Sequence, residues 1–211
     1  MLFRIDLKIF AFLILFYFTR QIEIYATILI FCIIHELGHL LAGLILKMKP
    51  KKIEIMPLGI SISFYLQTKD YNKKILKANV LELKKILVAI AGPITNIILI
   101  ILYTYFNPHF ITKEIAIYSN ILILIFNLIP IYPLDGGRIL KGIIHIFYGG
   151  KYAKIITNKV ANILIIILTV VGSIAIFYFE NIAILLIILF LWILVIQENK
   201  RYKLLIKAYE M

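Results

Sequence analysis

The sequence predicts an all-α polytopic membrane protein, with six transmembrane helices and a small membrane-surface β-hairpin between the second and the third. Three observations lead there. Of 211 residues, 63% are hydrophobic and 16% charged, and the mean hydropathy is +0.99, more apolar surface than one water-soluble core of that size can hide. Apolar stretches recur to the end of the chain, each bounded by charged or polar residues. When those stretches are threaded through a bilayer in order, the lysines and arginines gather almost wholly on one side.

A helix that crosses a hydrocarbon core of about 30 Å needs about 20 apolar residues. The first stretch, residues 7–18, is short and closes at Thr19-Arg20-Gln21; residues 22–46 form the second. No small-residue cleavage site follows the first, so the N-terminus reads as retained rather than as a signal peptide. Between the second and third spans, KKIEIMPLGISISFYL at 51–66 alternates at Ile53, Ile55, Ile60, Ile62 and Phe64 around Pro57-Leu58-Gly59, which signals a hairpin. Two uses fit it: a lipid-facing structural element, or an edge that holds extended substrate by strand addition. The third span covers 86–106 and the fourth 115–129. The fourth stops at Pro130 and Pro133, whose rings remove backbone donors and push the preceding residues out of the helical region. Broken backbone at that depth belongs where it lines a cavity. Spans at 155–179 and 182–196 complete the set, and the chain reads as a single membrane-embedded domain without a soluble regulatory domain.

The formal charge of +12 would point to nucleic acid in a soluble protein. In a polytopic one, Lys and Arg are collected for orientation and for anionic head groups, so the expected surroundings are the lipid bilayer and no nucleic acid. Only Arg20 and Lys113 fall on the sparse side, which places both termini and the loops after the second and fourth spans in the cytoplasm. Cys32 is the single cysteine. A thiol-rich metal cage is therefore excluded, and a metal would need His and carboxylate ligands.

Such a set stands at IIHELGHL, residues 33–40, inside the second span. On a helix His35 and His39 lie about 40° apart around the axis and about 6 Å apart along it, so both rings can converge on one ion. Glu36 projects beside that ion, placed to accept a proton from the attacking water. This is the H-E-x-x-H pattern of zinc hydrolases. Ionisable groups near a bilayer centre cost at least about 3 kcal/mol each on insertion scales, and a divalent cation compensates three of them at once. Histidines hydrogen-bonded across a bundle beside a protonated Glu36 would leave that spacing unexplained.

A catalytic zinc takes three protein ligands and keeps one position open. In FNLIPIYPLDGGRIL, residues 126–140, Asp135 follows the two prolines and Gly136-Gly137 permit a tight turn. Asp135 is the candidate third ligand; the alternative is that it only caps the following helix, and its two oxygens allow both. Asn127, about two turns earlier, needs partners for a buried amide, from substrate or from a neighbouring helix. Asn96 is expected to satisfy a neighbouring backbone group. His109 is expected to be exposed, and His145 to lie on an amphipathic stretch.

HELGH in a transmembrane helix, AGP at 91–93 opening the third span, and N-x-x-P-x-x-P-L-D-G-G at 127–137 together resemble the site-2 protease family of intramembrane zinc metalloproteases. The six spans, MPLG at 56–59 and the basic-aromatic tail ENKRYKLLIKAY at 198–209 are similar to the sporulation subgroup of that family, whose members often carry a C-terminal CBS domain that this sequence lacks. The resemblance implies that His35, His39 and Asp135 bind one Zn2+, that Glu36 activates water, and that Asn127 borders the substrate. It also implies a bacterial cytoplasmic membrane, a transmembrane or membrane-associated protein substrate such as a sporulation pro-sigma factor, and inhibitory membrane partners. A competing reading keeps the ligands but not the hydrolysis, as a membrane metal-binding or transport protein. That reading calls for polar residues continuing along several spans, and few stand outside the two motifs.

Overall fold

The computed structural model describes residues 2–5, 22–56, 59–64, 75–106, 108, 111–179 and 182–210. The expected first span, residues 7–18, the hairpin tip at 57–58 and His109 lie outside the described residues. In chain order the elements are strand β1 (Leu2–Ile5), helix α1 (Ile22–Ile45), strands β2 (Pro50–Met56) and β3 (Gly59–Phe64), and helices α2 (Ile75–Phe106), α3 (Lys113–Leu128), α4 (Asp135–Phe179) and α5 (Ile182–Glu210). They fall into two compact units that divide between Leu128 and Ile129.

In the first unit α1 packs against α2, α3 and β3. Its core gathers Phe31, Cys32, Tyr103, Ala116 and Ile123, with the rings of Phe31 and Tyr103 edge to face at 5.9 Å. Such a pair adds about 1 kcal/mol beyond the area it buries. The helix ends through a Schellman arrangement: Lys47 takes a left-handed φ of 59°, Met48 N–H donates to Gly43 O at 2.8 Å and Lys47 N–H to Leu44 O at 2.9 Å. Lys84 Nζ donates to Leu46 O at 3.1 Å and so closes another helix-end carbonyl. Gly43 is required here, because any side chain would enter the Phe64 ring.

The three strands form one sheet in the order β1-β2-β3. β2 and β3 run antiparallel with Ile53 opposite Ile62 and Ile55 opposite Ile60, and an irregularity falls between Pro50 and Lys52. β1 lies parallel to β2 on the other side, with Phe3 opposite Ile53.

Helix α2 starts at Ile75, eleven residues before the expected third span, so Ala91-Gly92-Pro93 lies inside the helix rather than at its opening. Pro93 has no N–H to give, which releases one helical carbonyl in that turn. α3 begins after Thr112, whose carbonyl accepts from Ala116 N–H at 3.0 Å, and it stops at Leu128, ahead of Pro130.

In the second unit α4 packs against α5. α4 bends at Gly149, where φ is 83° and ψ 168°. The part beyond that bend covers residues 155–179, where the fifth span is expected, and the part before it covers the stretch after Asp135. The two helices interlock at Gly172, which leaves room only for the Ile188 side chain, and through a reciprocal amide pair, Asn162 with Asn199, at 3.0 and 2.8 Å. Among the described residues three helices are long and apolar enough to cross a membrane: Ile22–Ile45, Asn79–Phe106 and Asp135–Tyr178. Exposed Ile97, Ile98 and Ile101 on α2 and Ile163, Ile166 and Ile167 on α4 form apolar faces suited to lipid.

Candidate metal centre

The geometry begins with a close approach of α1 and α2. Gly38 on α1 faces Thr95 and the Ala91 carbonyl, and a Cβ at Gly38 would overlap the Thr95 hydroxyl. Gly92 on α2 faces the metal-ligand candidates themselves: a Cβ there would fall on the imidazole of His39 and crowd His35 Nε2, at 2.6 Å. Two glycines thus let a backbone pass where a side chain would displace both rings.

His35 and His39 are each 2% exposed, and their rings stand edge to face with centroids 4.7 Å apart. Their outer partners decide the tautomers. His39 Nδ1 lies 2.7 Å from Val88 O, and a carbonyl only accepts, so Nδ1 carries the proton. Gly92 N, at 3.3 Å from the same nitrogen, is the weaker neighbour and does not reverse that assignment. His35 Nδ1 lies 2.7 Å from Asn96 Oδ1 and donates likewise.

Both Nε2 atoms then present lone pairs, and they stand 3.1 Å apart. When both rings are neutral, the two Nε2 acceptors face each other at that distance, and a cation lying against both would take a lone pair from each. Ligating histidines commonly donate their other N–H to a carbonyl or amide oxygen, as both rings do here. The donor set therefore fits a divalent metal taken by imidazole nitrogen. Glu36, on the next position of α1, is half-buried.

Asp135 opens α4 in the second unit and is 4% exposed. The chain turns into that helix through Leu134 N–H to Ile131 O at 2.9 Å and Arg138 N–H to Leu134 O at 3.0 Å. Gly137 lies so close over the Ile131 and Tyr132 backbone that a Cβ would overlap Tyr132 N, which explains the second glycine of the DGG run. Arg138 Nη1 stands 3.7 Å from Asp135 Oδ1, and Lys141 Nζ sits 4.1 Å over the Tyr132 ring. Asn127 lies near the end of α3, partly buried, and its Nδ2 donates to Ile123 O at 3.1 Å. Asn96 does donate to a backbone group, Asn120 O at 3.3 Å, as expected, but its contact with His35 was not foreseen. The signal was its place in AGPITN, four residues after Gly92, which puts it on the same face of α2 as that glycine.

A buried imidazole pair set to take one ion, with Glu36 next to it in sequence on a helix apolar enough to span a bilayer, marks a membrane-embedded metal centre. Comparison with known proteins agrees. The pattern of peptidase family M50 matches residues 23–111 and 109–172, more than half of the chain. The sequence is 29% identical over 176 residues to a zinc metalloprotease of Methanocaldococcus jannaschii, covering 80% of this chain and 47% of that protein. It is 28% identical over 128 residues to stage IV sporulation protein FB of Bacillus subtilis, covering 58% of this chain and 40% of that one. The chain thus spans about half or less of the length of these curated relatives. Among solved structures, the site-2 protease from Methanocaldococcus jannaschii matches with a TM-score of 0.69 at 23% identity, over 92% of this chain and 88% of that one, which establishes a shared fold. The chain belongs to peptidase family M50 and is an integral membrane protein.

Proposed function

We propose that this chain hydrolyses a peptide bond of a membrane-associated protein, within or at the edge of the bilayer, as a single metalloprotease domain. His35 and His39 supply two zinc ligands and Asp135 the third. The observation that carries the reading is the pair of Nε2 atoms 3.1 Å apart with both Nδ1 protons committed elsewhere. The burial of Asp135 at the end of a tight turn, and the need for a third oxygen or nitrogen ligand, support its part. Zinc, when bound, lowers the pKa of water and polarises a carbonyl.

Glu36 carries the proton. Its carboxylate accepts one from the attacking water and returns it to the departing amine, so the chain regains its starting charge. A helical substrate hides its carbonyls in hydrogen bonds and has to unwind before attack. The sheet edge at Gly59–Phe64, and the proline-broken backbone after Asn127, are the places where extended chain is held. The Asn127 amide contacts that chain.

The rest follows from the same reading: six spans, the sheet at the cytoplasmic membrane surface, both termini and product release on the cytoplasmic side of a bacterial inner membrane. The substrate is of the pro-sigma-factor kind, supported by the likeness to a sporulation protein, and an inhibitory membrane partner restrains the enzyme. Co-expression with a membrane-tethered pro-sigma factor tests this. Wild type should release the cytoplasmic product, and Glu36→Gln should reduce release by about 100- to 10,000-fold while keeping zinc. Full cleavage by purified Glu36→Gln would remove Glu36 from the mechanism, and zinc-loaded wild type that cleaves nothing would favour a metal-binding or transport protein and end the protease reading.

A further inference from the structure

We propose that Asn96 is a positioning residue that holds His35 in the tautomer able to bind metal through Nε2. The proposal rests on the assignment of His35 to the zinc made above. The two histidines are anchored in different ways. His39 Nδ1 donates to the main chain at Val88 O, a partner no substitution removes. His35 Nδ1 donates to a side chain, Asn96 Oδ1, at 2.7 Å.

An amide can turn over and offer NH2 in place of oxygen. At Asn96 it cannot do so without loss. The side chain is 0% exposed, and its Nδ2 donates to the Asn120 carbonyl at 3.3 Å, a group that only accepts. A turned amide would set two oxygens against each other at α3 and press a donor on His35 Nδ1, moving the ring proton to Nε2 and closing that atom to metal. Asn120, also 0% exposed, offers its main-chain carbonyl here, and its own Nδ2 donates separately to Ala116 O at 2.8 Å. Donors therefore run in one direction across three helices: His35 on α1 to Asn96 on α2, and Asn96 to Asn120 on α3. The backbone of α3 sets the protonation pattern of a ligand on α1. Packing alone does not call for an amide at 96, since a leucine of similar size would fill the place without burying polar atoms.

Zinc affinity by chelator competition, on detergent-purified full-length protein, tests this with Asn96→Leu and Asn96→Asp. Asn96→Leu should bind zinc about 10- to 100-fold more weakly while keeping wild-type helicity and elution volume. Asn96→Asp should bind zinc more tightly than Asn96→Leu, though below wild type, because one carboxylate oxygen still accepts from His35 Nδ1–H while the other loses the bond to Asn120 O. A merely structural amide predicts the reverse order, since a buried carboxylate disturbs packing more than leucine does. Wild-type affinity in Asn96→Leu, or weaker binding in Asn96→Asp than in Asn96→Leu, overturns the proposal. Should Asn96→Leu fail to fold, nitrogen NMR of histidine-labelled wild-type protein decides: a bare His35 Nδ1, assigned by its loss in His35→Gln, overturns it, and a protonated one supports it. Wild-type protein that binds no zinc, or His35→Ala that binds zinc as wild type does, sinks the metal centre and this proposal together. A failure of Asn96→Leu alone leaves the centre standing.

Discussion

Gly92 shows how one missing side chain shapes the site. In an ordinary helix interior, Gly→Ala gains about 1 kcal/mol from helix propensity. Here the added Cβ would fall on the His39 ring and close to His35 Nε2, so overlap outweighs propensity. Gly92→Ala should weaken zinc binding about 100-fold, by the scale of losing an outer partner of a ligand, and should raise no melting temperature. A stabilised variant that keeps its zinc would show that the backbone does not approach the rings this closely. At this scale the meeting of the His35 and His39 rings was legible because H-E-x-x-H constrains spacing on one helix, and the break before Asp135 because prolines and glycines interrupt an apolar run. Gly92 and the Asn96 contact were not. Their roles come from one helix lying against another, and a single sequence reports periodicity within a helix rather than which residue opposes which across the gap.

Helices were readable where hydropathy and charged borders agree, and their ends were not. α2 extends to Ile75 through NVLELKK, where charged residues interrupt the apolar run but not the helical backbone. α4 joins the stretch after Asp135 to the following apolar run across one bend at Gly149, a turn that glycine makes without Cβ strain. β1 was missed because LFRI is too short to announce a strand; its partner is β2, more than 40 residues away in sequence. Helices α4 and α5 offer a quantitative check. The amides of Asn162 and Asn199 exchange two hydrogen bonds, and each Leu substitution leaves the other amide short of a partner. A double-mutant cycle on unfolding in detergent should give a coupling of about 1 kcal/mol, typical of polar contacts between membrane helices. Strict additivity of Asn162→Leu and Asn199→Leu would mean that the pair does not form.

For the whole molecule, the proposed orientation, with the basic face and both ends of the chain toward the cytoplasm, rests on charge placement and can be tested by labelling. Because Cys32 is the single native cysteine, Cys32→Ser supplies a clean background for labelling. Cysteines introduced at position 2 and at position 210 should react with an impermeant maleimide only in inverted membranes. Labelling of either in intact cells would break the inferred topology. That the chain is a largely helical membrane protein was legible because a bilayer leaves few ways to hide so many apolar residues, whereas the substrate leaves no comparable mark on composition. The centre itself is tested most directly by counting zinc in protein purified without added metal. The account predicts one zinc per chain in wild type and in Glu36→Gln, and almost none in His35→Ala, His39→Ala or Asp135→Ala. A full equivalent of zinc persisting in His39→Ala, or none in the wild-type enzyme, would contradict it.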